Sequence, residues 1–165
     1  MLALQIASGV VPEQSGGGAG FGVFDAPAVR TVTPAKVQPA ASIGVGLPYG
    51  AAQWQQPFDP NDHLAFGISF NDLLEVGETI TGVDSIAVSS TGAGLGVAID
   101  QALGFAPIID ADGKRRIQFW LSVSSAFQGS PAFDASGTPV AITVRITTSK
   151  SNRFERSAIV TVRQL

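Results

Sequence analysis

The stretch Pro139–Arg163 reads P-V-A-I-T-V-R-I-T-T-S-K-S-N-R-F-E-R-S-A-I-V-T-V-R and carries the clearest structural pattern in the chain. In its first part, apolar side chains occupy every second position: Val140, Ile142, Val144 and Ile146. A period of two predicts a strand with one buried face. Residues 149–152 are polar and favour a turn, and alternation resumes at Ala158, Val160 and Val162. The stretch therefore predicts an antiparallel hairpin.

Shorter alternating runs precede this hairpin, with turn residues between them. They lie at Leu64–Phe70, Thr79–Ser90, Leu95–Ile99, Ile108–Ile109 and Ile117–Val123. This spacing, without a helix of useful length, is typical of a β-sandwich. We therefore predict an all-β fold, an immunoglobulin-like β-sandwich over residues 58–165, with a closed barrel as the alternative. The paired cysteines of antibody domains are missing, because the chain has no cysteine.

The phase of each run also predicts which side chains are buried, because a slip of one residue would turn a whole strand over. The predicted core comprises Leu64, Phe66, Ile68, Ile117, Phe119, Leu121, Val140, Ile142, Val144, Val160 and Val162. Trp120 and Ile159 fall on the opposite phase of their strands. An exposed tryptophan is often a contact residue, although packing against the chain's own loops would explain it equally well.

Residues 1–57 differ in composition from the rest of the chain. They contain nine of the 19 glycines and six of the 10 prolines, with only four charged residues, so no long helix or regular strand is predicted. Disorder is one interpretation, but disordered segments are usually rich in charge and poor in apolar residues. We predict an extended N-terminal arm over 1–57 that orders along another protein. Its aromatic anchors would be Phe21, Phe24, Tyr49 and Trp54, and Trp120 would add a contact from the sandwich.

Composition argues against several other functions. The net charge is −3 and no basic cluster suited to nucleic acid is present. No apolar run reaches the length of a membrane helix, and the start of the chain lacks the features of a signal peptide. His63 is the one histidine, no nucleophile motif is found, and Asp110–Gly113 is a turn rather than a calcium loop. We therefore predict no enzyme activity, no cofactor and no metal.

Two groups of residues resemble Ig-like domains in virion proteins of tailed bacteriophages. The opening group is F-D-P-N-D-H-L-A-F-G-I-S-F at Phe58–Phe70, followed by Leu73-Leu74 and by G-E-T-I at Gly77–Ile80. The closing group is I-T-T-S at Ile146–Ser149, then Arg153, Glu155-Arg156 and Val162-Arg163. The resemblance covers about residues 58–165 and departs from the usual pattern at 105–114, which is longer here.

The resemblance implies a structural role on a virion, with the outer capsid surface as the expected location after synthesis in the host cytoplasm. The leading hypothesis is a capsid decoration (cement) protein that binds the major capsid protein through its arm, with self-association left open. A head–tail connector or tail protein is the first alternative. A carbohydrate-binding or adhesive module, with Trp120 and Tyr49 stacking on sugars, is an alternative of another class.

Overall fold

The computed structural model describes residues 19–36 and 51–165. Within them, ten strands form two mixed sheets. The strands are β1 (Gly20–Gly22), β2 (Thr31–Val32), β3 (Ala52–Gln53), β4 (Leu64–Ser69), β5 (Ile80–Val88), β6 (Val97–Ile99), β7 (Ile108–Asp110), β8 (Arg116–Val123), β9 (Thr138–Thr148) and β10 (Arg153–Val162). One short helix, α1 (Ser90–Gly94), and 3-10 turns at Ala28–Arg30 and Pro131–Phe133 complete these elements.

The first sheet has six strands. Five of them follow the order β1-β7-β8-β4-β2, and the sixth, β6, also pairs with β8. Its central pair is β4 and β8, which run antiparallel with Phe66 opposite Phe119. Both β6 and β7 pair with β8, at opposite ends of it. Residues 100–107 therefore leave the sheet between two segments that share one partner strand.

The second sheet has the order β3-β10-β9-β5 and contains the predicted hairpin. Strands β9 and β10 pair antiparallel from Thr138 opposite Val162 to Thr147 opposite Arg153. The turn lies at 149–152, as the sequence predicts, with Ser151 at a φ of 61°. Strand β10 begins earlier than its alternation suggests, since Arg153–Ser157 already pair with β9.

One hydrophobic cluster takes its buried side chains from both sheets. Trp54, next to β3 in the second sheet, packs edge-on against Phe66 and Phe119 of the first, at 5.6 and 6.0 Å between ring centroids. Its indole nitrogen donates a hydrogen bond to the carbonyl oxygen of Gly67, 3.0 Å away. The two sheets therefore face each other across this core.

The strand phases and the predicted core are confirmed with one exception. Ten of the eleven predicted side chains have 0% exposure, and only Leu64 is half-buried. Ile159, on the opposite phase, is also covered, at 6% exposure. At residues 91–94, where a plain turn was expected, α1 forms instead, with the Ser89 hydroxyl accepting a hydrogen bond from the amide of Gly92.

The described part of residues 1–57 is built into both sheets, contrary to the expectation that this region orders only on a partner. Strands β1, β2 and β3 each pair parallel with a strand from the later region: β7, β4 and β10. Arg156 of β10 donates hydrogen bonds to the carbonyl oxygens of Ala35 and Lys36. Burial lowers the pKa of this guanidinium. The composition break at Phe58 therefore lies inside a continuous hydrogen-bonded framework.

Candidate functional site: the outer face of the first sheet

Three side chains of β8 point away from the core and organise the outer face of the first sheet. Arg116, Gln118 and Trp120 alternate with the buried Ile117, Phe119 and Leu121. Opposite them on β4 lie Ser69, Gly67 and Ala65, which are small. Because strand side chains alternate between faces, this combination leaves a shallow surface on which other segments of the chain can lie.

Phe24 occupies the position above Gly67. A Cβ placed on Gly67 would lie 2.4 Å from the ring of Phe24, so only glycine leaves room for the ring. The guanidinium of Arg116 lies over the same ring, 4.1 Å from its centroid. Arg116 is itself held by the buried carboxylate of Asp110, with 2.7 Å between Nε and Oδ2. A cation held in place over an aromatic ring is a favourable arrangement.

Gln118 fixes the backbone that follows Phe24. Its side-chain oxygen accepts hydrogen bonds from the amides of Asp25 and Ala26, at 2.7 and 2.9 Å. At the far edge of the sheet, Nε of Arg30 donates to the carbonyl oxygen of Ala65 at 2.9 Å. Residues 23–30, called here the crossing segment, therefore run over the sheet from β1 to β2. The sequence predicted the outward phase of Gln118 but offered no sign that it would be buried, at 4% exposure, beneath another segment.

Several apolar side chains on and beside the crossing segment remain outside. Phe21 is 55% exposed, Val23 74% and Val29 44%. The Lys114 ammonium lies 5.0 Å from the Phe21 ring centroid, yet more than half of the Phe21 side chain stays exposed. One side of this region is thus held by its own sheet, and the other presents apolar surface.

Trp120 contributes to a second surface at the other end of β8. The rings of Phe105 and His63 each lie 5.0 Å from its ring, and Phe105 also contacts His63 at 4.7 Å. The His63 Nε2 lies 3.0 Å from an Asp100 carboxylate oxygen. The amide of Asp100 donates to the carbonyl oxygen of Trp120 at 2.9 Å, so residues 100–107 are folded over the tryptophan. The contact with the chain's own loop, weighed as an alternative for Trp120, is present, and the ring is half-buried.

The five predicted contact residues therefore lie in different environments. Phe24 and Trp120 share the outer face of the first sheet, and Phe21 is exposed on its edge strand. Trp54 is only 5% exposed and belongs to the core, so it serves packing within the chain rather than a free surface. Tyr49 lies outside the described residues. The structure adds one exposed apolar residue that the sequence did not predict, Leu103, on the loop over Trp120. It was missed because a loop residue has no apolar periodicity around it.

Neither a metal-binding cluster nor a membrane-spanning helix is found in the described residues. No group of three or more His, Cys, Asp or Glu side chains is arranged to hold a metal ion in residues 19–36 and 51–165. No helix in this part of the chain is long and apolar enough to cross a membrane.

Comparisons with protein-family models, curated proteins and solved structures found no match. The fold by itself defines the class: an all-β protein of two mixed sheets.

Proposed function

We propose that this chain is a structural protein of a tailed-bacteriophage virion, with an immunoglobulin-like sandwich that decorates the outer capsid surface and binds the major capsid protein. The supporting sequence motifs are those at Gly77–Ile80 and Ile146–Ser149. The two motifs touch in the folded chain: the amide of Ser149 donates to the carbonyl oxygen of Thr79, and the amide of Thr79 donates to the hydroxyl of Ser149. This contact supports an architectural role for both motifs.

The observation that carries the proposed attachment is the exposed apolar side of the N-terminal segment. Phe21, Val23 and Val29 are exposed while Phe24 and the amides of Asp25 and Ala26 are bound to the sheet. Because the backbone here is already ordered in the free chain, a partner that covers these side chains does not have to supply the full entropic cost of ordering it. Burial of apolar surface contributes about 25 cal/mol per Å², so a few such side chains suffice for a useful contact.

The proposed attachment is apolar rather than electrostatic. Residues 1–57 contain four charged residues, Glu13, Asp25, Arg30 and Lys36, and their formal charges cancel. Screening by salt acts on charge pairs and not on buried apolar area. Binding to capsids is therefore expected to change little between about 50 and 300 mM salt, a range over which the Debye length shrinks by roughly 60%.

The test measures binding of purified protein to undecorated capsids of the same phage by co-sedimentation. The double variant Phe21→Ser/Val23→Ser removes the exposed apolar side chains and leaves the described core intact, and we expect it to lose binding. Val76→Ser is the matched control, since Val76 is 99% exposed and lies outside β1 and the crossing segment. Full binding by the double variant, or release of the wild-type protein by moderate salt, would overturn attachment through this segment.

Two further measurements separate the alternatives. Leu103→Ser/Phe105→Ser alters the surface over Trp120, and loss of binding in this variant alone would move the attachment site there. The copy number in purified virions, measured by quantitative mass spectrometry, should approach that of the capsid protein for a decoration protein. A copy number equal to that of a single ring would instead indicate the head–tail connector or tail.

A further inference from the structure

A groove opens at the edge of the second sheet, where β3 meets the end of β10. Its volume is about 390 Å³. The lining residues come from β3 and the residues after it, from the turn before β9 and from the end of β10: Gln53, Trp54, Gln55, Pro57, Ser136, Thr161 and Arg163. Apart from Arg163, none of these side chains carries a charge. The groove therefore places a single cation among amide and hydroxyl groups.

Arg163 differs from the other half-buried arginines of the described chain in having no partner. Its Nε is buried and donates no hydrogen bond, and none of the ion pairs within the described ranges includes it. Arg30, Arg116 and Arg156, by contrast, all donate to oxygen atoms of the chain. A buried donor without an acceptor costs free energy, and such groups are rare in native proteins. An unsatisfied arginine beside a groove indicates a place where a ligand could accept its hydrogen bonds.

The backbone around Arg163 restricts where its side chain can go. Its amide donates to the carbonyl oxygen of Phe58 at 3.0 Å, directly after the fully buried Val162. The turn before β9 packs against its stem: a Cβ on Gly137, where φ is +70°, would lie 2.4 Å from the Cβ of Arg163. The contact with Gly137 and the backbone hydrogen bond to Phe58 thus hold Arg163 at the groove, which its side chain lines.

We propose that this groove binds a ligand that carries a carboxylate or phosphate group, with Arg163 as the residue that pairs with the anion. The planar guanidinium presents parallel N–H donors that match the two oxygens of such a group. Gln53, Gln55, Ser136 and Thr161 supply neutral donors and acceptors for the atoms next to it. The lining residues in the described part of the chain include no carboxylate, and the proposed anion belongs to another molecule. This site does not depend on the proposed virion role.

The test follows the Nε–Hε signal of Arg163 by nitrogen-15 NMR of the full chain. Burial slows exchange of this proton with water, so the signal is a direct reporter on the site. Sodium acetate and sodium phosphate are titrated at constant ionic strength, with sodium chloride as the comparison. We expect a saturable shift of the Arg163 signal with acetate or phosphate and none with chloride. Equal, non-saturating shifts with all three salts would overturn the proposal, as would no shift at all.

Variants tie the response to this side chain. Arg163→Gln is expected to weaken the binding seen at the Gln53 and Thr161 amides about tenfold or more, because the charge-assisted pair is lost. Arg153→Gln is the matched control: it removes the same charge from an exposed position at the other end of β10 and should leave binding unchanged. If Arg163→Gln does not fold, Arg163→Lys keeps the charge without the planar fork and should also weaken binding. Unchanged binding in a folded Arg163 variant would overturn the assignment.

A final comparison distinguishes the sources of the anion. A blocked Gly-Glu-Gly peptide presents a carboxylate as a protein side chain would, whereas acetate and phosphate represent free anions. Tighter binding of the peptide than of acetate would indicate an acidic side chain of a partner protein. Tighter binding of acetate or phosphate would indicate a small ligand, and either result supports an oxyanion site.

Discussion

The carboxylate of Glu78 accepts a hydrogen bond from the hydroxyl of Thr148, across 70 residues of sequence. Glu78 is fully buried and Thr148 is 3% exposed. The same carboxylate oxygen accepts from the Asn152 side-chain amide at 2.9 Å, and the other oxygen accepts from the amide of Glu75 at 2.9 Å. This single side chain therefore joins the loop before β5 to the turn between β9 and β10. Because all of these bonds favour the ionised form, the pKa of Glu78 lies below its usual value, with the Thr148 hydroxyl as the largest cause.

The first prediction concerns acid stability. A carboxylate with a lowered folded-state pKa stabilises the fold fully above its unfolded pKa of about 4.3, and this stabilisation is lost as pH falls through the folded pKa. We expect Glu78→Gln to lower the midpoint of urea unfolding at pH 7. The difference between variant and wild type should shrink as the pH is lowered from about 5 towards 3.

Asp59 also has a lowered pKa, chiefly because its side chain accepts from the amide of Asn61. Asp59 is present in both wild type and Glu78→Gln, so its contribution to the pH dependence of stability cancels when the two are compared. Glu155→Gln serves as the control, because Glu155 lies in an exposed pair with Arg145 and such pairs contribute little. A difference between Glu78→Gln and wild type that does not change with pH would contradict the role assigned to the ionised carboxylate.

The second prediction tests how the crossing segment is held. Gly67→Ala places a methyl group 2.4 Å from the ring of Phe24, and overpacking of this kind costs about 1–3 kcal/mol. We expect faster hydrogen exchange at the amides of Asp25 and Ala26, which donate to Gln118. Gly82→Ala is the matched control, since a Cβ at Gly82 meets nothing within 4 Å. Equal exchange at these two amides in both variants would contradict the packing of Phe24 on Gly67.

The third prediction concerns the core of the first sheet. Phe119 has 0% exposure and packs against Trp54, so Phe119→Ala should destabilise the chain by about 3–5 kcal/mol. Phe21→Ala removes the same side chain from a position that is 55% exposed and should cost less than about 1 kcal/mol. Equilibrium denaturation measures both values. A cost below about 1 kcal/mol for Phe119→Ala would mean that this strand faces the other way.

The fourth prediction addresses the N-terminal region as a whole. Deletion of residues 1–57 removes three paired strands and Trp54, whose truncation alone is expected to cost about 3–5 kcal/mol. Deletion of residues 1–18 leaves every described contact in place. We therefore expect the longer deletion to lower the thermal midpoint by much more than the shorter one. Equal midpoints for the two deletions would contradict this expectation and show that residues 58–165 fold without the N-terminal region.

The sequence by itself determined the strands of the later region and the side chains that they bury. Alternation at Val140–Ile146 and at Ile117–Val123 is a local property, because a strand with one buried face needs an apolar residue at every second position. The β9–β10 hairpin follows from the same pattern, since its two strands are close in sequence and a polar turn joins them. Phe119 and Val160 can therefore be predicted as core residues from the sequence alone, without knowing which side chains pack against them.

Only the tertiary structure decided what lies on the outer faces. Nothing local to Gln118 indicates that it will be covered by the backbone of Asp25 and Ala26, more than 90 residues earlier. Composition placed Trp54 in an arm, but its burial depends on Phe66 and Phe119, which meet it only when the two sheets close. The same holds for Arg163. Its lack of a hydrogen-bond partner among the described residues depends on how the turn at Gly137 and the residues after β3 pack around it. Periodicity in the sequence predicts on which face of a strand a side chain lies. What contacts that face depends on packing between residues far apart in the sequence.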